Sequence, residues 1–133
     1  MKAALGVLFL LAGCAAAPEP CSAGAGPATI AEAYFGRNVK TRAPVTDAEW
    51  ARFMADTVTP AFPNGLTVHD GAGQWRNATG QIGREDSKIL LLILPGQDQA
   101  VAAARLAPVT AAWKGRFAQE SVLTVFRQGC AAF

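Results

Sequence analysis

Ile89-Leu90-Leu91-Leu92-Ile93-Leu94 is a run of branched apolar residues with no polar alternation, closed by Pro95-Gly96. A strand of this kind is buried on both faces, so it belongs in the middle of a sheet. Upstream, Leu66-Thr67-Val68-His69-Asp70 alternates apolar and polar like a half-buried strand. Gly71 and Gly73 interrupt that pattern before it resumes at Gln74-Trp75-Arg76, which predicts a bulge or tight bend. Asn77 to Gly80 reads as a hairpin turn, with the chain returning through Ile82 and Arg84 towards Lys88.

On the N-terminal side, Ile30 to Phe35 fits a first strand whose Tyr34 and Phe35 point to opposite faces. Thr46 stands three residues before Glu49, a capping box, and Val45 and Trp50 occupy the positions of a hydrophobic staple. A helix therefore starts at Asp47. Trp50, Phe53, Met54 and Val58 give it one apolar stripe, and it should end before Pro60, because the residue preceding proline avoids the helical region. A second helix is predicted from Asp98 to Phe117, with Ala102, Leu106, Val109, Trp113 and Phe117 on one stripe. Pro108 lies inside it and predicts a kink or break near Ala104 to Ala107. Ser121 to Phe126 reads as the last strand.

Strand, helix, strand, strand, helix, strand is the ferredoxin-like β-α-β-β-α-β order: an α+β sandwich with a four-stranded antiparallel sheet and two helices on one face. Right-handed crossovers make the strands from Ile30 and Ile89 the central pair. Two helices cover only one face. The other face should carry Tyr34 or Phe35, alternate members of Ile89–Leu94, and Leu123 or Val122. A homodimer is the expected cover, with the loop 37–45 or the N-terminal tether as the competing one.

The start of the chain speaks to location. Met1 and Lys2 precede an apolar run, Ala3 to Ala12, too short to span a bilayer, and Leu11-Ala12-Gly13-Cys14 closely resembles the lipobox of bacterial lipoprotein precursors. The resemblance implies cleavage after Gly13 and lipidation of Cys14. Several acyl chains, at about 0.8 kcal/mol per buried methylene, anchor stably where one does not. In the class it resembles, a residue other than Asp after the cysteine, here Ala15, implies the outer membrane of a Gram-negative host, facing the periplasm. The expected organisation is a signal peptide over residues 1–13, a flexible Pro- and Gly-rich tether over 14–28, and a single α+β domain over 29–133.

The full chain has 12 Lys plus Arg, 10 Asp plus Glu and one His. Without Lys2 the balance is nearly neutral and no basic stripe exists, which argues against a nucleic-acid partner. With Cys14 lipidated, Cys21 and Cys130 remain as an even pair in an oxidising compartment, and pairing them would close nearly the whole domain into one loop.

Ala33-Tyr34-Phe35-Gly36, the segment Thr57 to Arg76, Glu85 with Ser87-Lys88, and Lys114-Gly115-Arg116-Phe117 with Gln119 to Leu123 resemble a bacterial family, domain of unknown function 3574. The resemblance covers residues 30 to 128. It brings no assigned reaction or ligand, and it implies a small envelope lipoprotein domain.

The candidate ligand-binding residues lie on the long hairpin. His69 beside Asp70, with Arg76 or Arg84 for an anionic group and Trp75 as a stacking surface, is the functional arrangement. Adjacent strand residues face opposite ways, so His69 and Asp70 act as a pair only if the glycines bend the chain. The structural alternative makes His69 an exposed strand residue, Asp70 a turn cap, Trp75 core, and Arg84, Glu85 and Lys88 cross-strand ion pairs. No catalytic residues, cofactor or metal are expected: one histidine and two cysteines offer no ligand cluster, and both Gly-x-Ser-x-Gly and a phosphate-cradling loop are missing. The leading expectation is a non-enzymatic binding or interaction module at the cell envelope, its partner an unknown envelope protein or small ligand. The alternative is a small cofactor-free enzyme with a pocket formed by a dimeric ferredoxin-like sheet.

Overall fold

The computed structural model describes residues 20–76 and 79–133. The leader, the lipobox with Cys14, and Asn77 of the expected turn lie outside the described residues. Four strands, β1 (Gly26–Gly36), β2 (Thr67–Arg76), β3 (Ile82–Pro95) and β4 (Leu123–Ala131), form one sheet in the order β2-β3-β1-β4. All pairings are antiparallel, with Glu32 opposite both Leu91 and Val125. Helices α1 (Asp47–Phe53), α2 (Thr59–Ala61) and α3 (Gln99–Phe117) pack on one face. This is the ferredoxin-like α+β sandwich, and β3 and β1 are its central pair.

The strand periodicity sorts the two faces. Ala31, Ala33 and Phe35 of β1 and Leu90, Leu92 and Leu94 of β3 are buried beneath the helices. Phe35 sits under an aromatic cluster, with ring centroids 5.5 Å from Trp50, 5.9 Å from Phe53 and 5.1 Å from Trp113. Such tilted and edge-to-face pairs add about 0.5–1.5 kcal/mol each beyond the area they bury. Ile89, Leu91 and Ile93, on the opposite face, are only half-buried. The apolar run is thus dry on one side and partly wet on the other.

The capping box at α1 is present: Thr46 Oγ1 accepts from the Glu49 N–H at 3.2 Å and a Glu49 carboxylate oxygen accepts from the Thr46 N–H at 2.8 Å. Three local expectations are corrected. The helix does not end before Pro60: Met54–Val58 winds as a π-helical turn and α2 continues through Pro60, and the carbonyls one turn back, on the exposed Ala55 and Asp56, are open to water in place of the missing N–H. Pro108 does not break α3, which runs unbroken across it. Ala104, whose carbonyl loses the Pro108 donor, and Pro108 itself are both exposed, so water can take up the orphaned oxygen.

Gly71 and Gly73, finally, make no bulge. The β2–β3 register runs without a slip from Thr67↔Leu91 to Arg76↔Ile82. Glycine at position 71 instead leaves room for a neighbour: a Cβ there would meet Ile89 Cδ1 at 2.8 Å and push the isoleucine aside. At the chain ends, Cys21 and Cys130 are joined by a disulfide that ties the segment before β1 to β4 across 109 residues.

Candidate functional site

On the open face of the sheet, alternation along β1 brings Ile30, Glu32 and Tyr34 to the surface between the flanking strands. Ile30 lies opposite Ile93 and Arg127, and Tyr34 lies opposite Ile89 and Leu123. A carboxylate in the centre of an apolar sheet needs partners. Tyr34 Oη donates to Glu32 Oε2 at 2.5 Å, and Arg127 Nη2 donates to Glu32 Oε1. The Tyr34 hydroxyl, with the Arg127 guanidinium behind it, holds the Glu32 carboxyl below the usual carboxylate range. The same bond pushes the Tyr34 phenol up, since losing its proton would set two anions together.

His69, opposite Ile89 on β2, shares this face. Glu32 and Arg127 differ in access: their side chains are 18% and 56% exposed. The cluster therefore offers a fixed anion, a reachable guanidinium with further N–H donors, and a phenol, all set in an apolar surface of Ile30, Ile89, Leu91, Ile93 and Val125. It can hold a cationic centre beside Glu32 and an anionic group on Arg127.

The other side of the sheet carries a polar cleft of about 380 Å³ at the start of α1. Lys88, almost fully buried, reaches Asp70 at 2.5 Å and Asp47 at 3.1 Å, and Arg37 reaches Asp47 at 3.1 Å. Asp70 first, then Asp47, raises the Lys88 ammonium above its ordinary value, and Lys88 keeps Asp47 below its own. These charges neutralise one another and clamp α1 to the hairpin. A second depression, an apolar groove of about 440 Å³, lies between the segment Phe62–Thr67 and the end of β3.

The hairpin residues singled out in the sequence do not converge. His69 is exposed on the open face, whereas Asp70 turns to the opposite face and binds Lys88, capping no turn. Arg76 and Arg84 stand on that opposite side, with Arg76 donating to the Gly80 carbonyl at 2.7 Å near the hairpin tip. Trp75 is 57% exposed, not core. In a strand without a slip it shares the parity of His69, so its indole stands on the open face that no helix covers, over Gly83, where a Cβ would meet it at 3.2 Å. Glu85 makes no cross-strand ion pair; its carboxylate accepts from the Asn38 N–H at 3.0 Å. Glu32, Tyr34 and Arg127 were missed. The legible signal was a carboxylate in the middle of a strand already assigned to the sheet centre. Among the described residues no group of three or more His, Cys, Asp or Glu is placed to hold a metal ion, and no helix is long and apolar enough to cross a membrane.

Two solved structures share this fold. A phage SAM lyase in complex with S-methyl-5'-thioadenosine superposes with a TM-score of 0.61 at 17% identity, over 81% of this chain and 92% of that one. A phage SAM lyase in the apo state gives 0.58 at 16% identity, over 88% and 97%. At such identities the likeness carries the fold alone. Both neighbours are enzymes of nearly the same length, so the fold is one that carries an enzyme, against the expectation of a non-enzymatic interaction module. No curated protein matches the chain. A family model described as a protein of unknown function, DUF3574, matches residues 31–133, from the middle of β1 through β4, and the chain belongs to that family.

Proposed function

We propose that the protein is a small cofactor-free enzyme whose active site is the open sheet face around Glu32, and that its substrate is an adenosyl sulfonium of the kind cleaved by a SAM lyase. The observation that carries this reading is the Glu32–Tyr34–Arg127 cluster, built across the central β1 and the adjoining β4 of a fold shared with that enzyme. A sulfonium is a soft cation flanked by carbon. It suits a carboxylate set in apolar surroundings, while Arg127 suits the carboxylate of the amino-acid arm. Breaking the sulfonium bond to the amino-acid arm sends the electron pair to sulfur and leaves a neutral thioether, while an oxygen of the arm's own carboxylate bonds to the vacated carbon and closes a lactone. A cation and an anion are lost together, so a weakly polar surface favours the step over water.

The half-exposed apolar rim, Ile30, Ile89, Leu91, Ile93 and Leu123, needs a cover to exclude water, and a second copy of the chain packed sheet to sheet supplies it. Attachment through a lipidated Cys14 would hold this site at the cell envelope, facing the periplasm; the support is the Leu11–Cys14 sequence. The test is incubation of the full chain, in mild detergent, with S-adenosylmethionine, following release of S-methyl-5'-thioadenosine by chromatography. Wild type should release it and Glu32→Gln should lose at least about 100-fold in rate, as when a charge aimed at the reacting centre is removed. No release by wild type, or equal release by the variant, overturns the reading.

A further inference from the structure

The apolar groove of about 440 Å³ beside the end of β3 has a polar floor that the strand register exposes. The Gly96 N–H donates to the Pro27 carbonyl and the Arg37 N–H to the Asp86 carbonyl, which fixes even-numbered β3 residues as the ones bonded to β1. Odd-numbered residues therefore present their N–H and C=O towards β2. That ladder ends at Thr67↔Leu91, so the N–H and C=O of Ile93 point past the start of β2 into the groove without a strand partner among the described residues. Beyond Ile93 the edge closes. Pro95 has no N–H, and the Gln97 N–H turns back onto the Leu94 carbonyl.

One donor and one acceptor, side by side in an apolar slot, are too short an edge for an added strand. They match a flat ring with a donor and an acceptor on one side. We infer that this groove is a nucleobase subsite for adenine, in which the exocyclic amine donates to the Ile93 carbonyl and a ring nitrogen accepts from the Ile93 N–H. Leu66 and Phe62 provide apolar walls, and Arg105, stacked 5.0 Å over Phe62 and donating to the Ala61 carbonyl at 3.0 Å, closes one end. The floor is continuous with the Glu32 site. Ile93 lies opposite Ile30, and Glu32 lies opposite Leu91, so Glu32 stands two residues, about 7 Å, along the sheet and one strand spacing, about 4.8 Å, across from Ile93. A base at Ile93 leaves Glu32 within the length of a nucleoside and its 5' substituent.

This subsite deepens the sulfonium reading, yet its test is independent of turnover. Adenosine and inosine are titrated into the isotope-labelled full chain while the Ile93 amide is followed by NMR. Adenosine should move that amide downfield and bind about 10-fold or more tightly than inosine, whose oxo group and ring N–H present the reverse pattern. Leu66→Trp, which fills the slot, should abolish the shift. Equal affinities, an Ile93 amide unmoved by adenosine, or a shift produced by an extended tetrapeptide and not by adenosine overturns the inference. Failure of S-adenosylmethionine turnover alongside selective adenosine binding would instead sink the lyase reading and leave the subsite standing.

Discussion

Leu90 and Leu91 are neighbours on the central strand and report on opposite faces, so truncating each to alanine separates the dry side of the sheet from the working side. Leu90 is 0% exposed beneath the helices. Leu90→Ala removes buried methylenes and leaves a cavity that the aromatic cluster above cannot fill, a cost of about 3–4 kcal/mol within the range for such substitutions. Leu91 is half-buried, and its truncation in a lone chain forfeits about half of a full leucine transfer, roughly 1 kcal/mol. If a second copy covers the open face, the remaining half is buried too, and the cost of Leu91→Ala rises towards about 2 kcal/mol at concentrations where the pair forms. Urea unfolding of both variants at about 1 and about 100 μM chain reads these numbers directly, because dimerisation makes stability concentration-dependent. Leu90→Ala should show the larger loss at both concentrations, and Leu91→Ala should lose more at the higher one. A Leu91→Ala loss independent of concentration refutes the covered face. A larger loss at Leu91 than at Leu90 refutes the assignment of the faces themselves.

Two further outcomes follow from the ends of the chain and from the Glu32 cluster. Reducing the Cys21–Cys130 disulfide, which spans 109 residues, should cost about 4–5 kcal/mol in the chain-entropy account, read as a lowered urea midpoint with reductant; no change in midpoint would show that the cross-link leaves the unfolded chain unconstrained. Because Tyr34 and Arg127 depress the Glu32 pKa below its ordinary 4.5, the stability that Glu32 contributes is present above that value and is lost as pH falls through the native one. The gap in urea midpoint between wild type and Glu32→Gln should therefore narrow between about pH 6 and about pH 3, and a gap that widens on acidification contradicts the pairing.

How much of this was legible in the sequence follows from how local each signal is. The run Ile89–Leu94, the capping box at Thr46 and Glu49, and the order of elements are local patterns, and they were enough to order the sheet. Pro60 and Pro108 misled because the cost of a missing N–H depends on where the orphaned carbonyl points, and burial decides that rather than sequence spacing. Gly71 misled for a related reason. A glycine inside a strand signals either an irregular backbone or a crowding side chain, and only the neighbouring strand, with Ile89 across the ladder, distinguishes the two. Trp75 reads as core in isolation; its exposure follows from its place on the face of β2 that no helix covers.

The functional cluster was the least legible part because Arg127 and Glu32 stand 95 residues apart. What could have pointed to it is a conflict between levels. A strand assigned to the centre of the sheet carries a carboxylate on the face that no helix covers, and a charge there is tolerated only with a partner from the adjoining strands. The hairpin drew notice because its polar residues are dense. Density, though, is what a solvated ribbon looks like, and a single ionised group among Ile30, Leu91 and Val125 is the costlier placement. That cost is offset by Tyr34 and Arg127 in the free chain, and it leaves a preset anion wherever a cation displaces water from the same apolar surface.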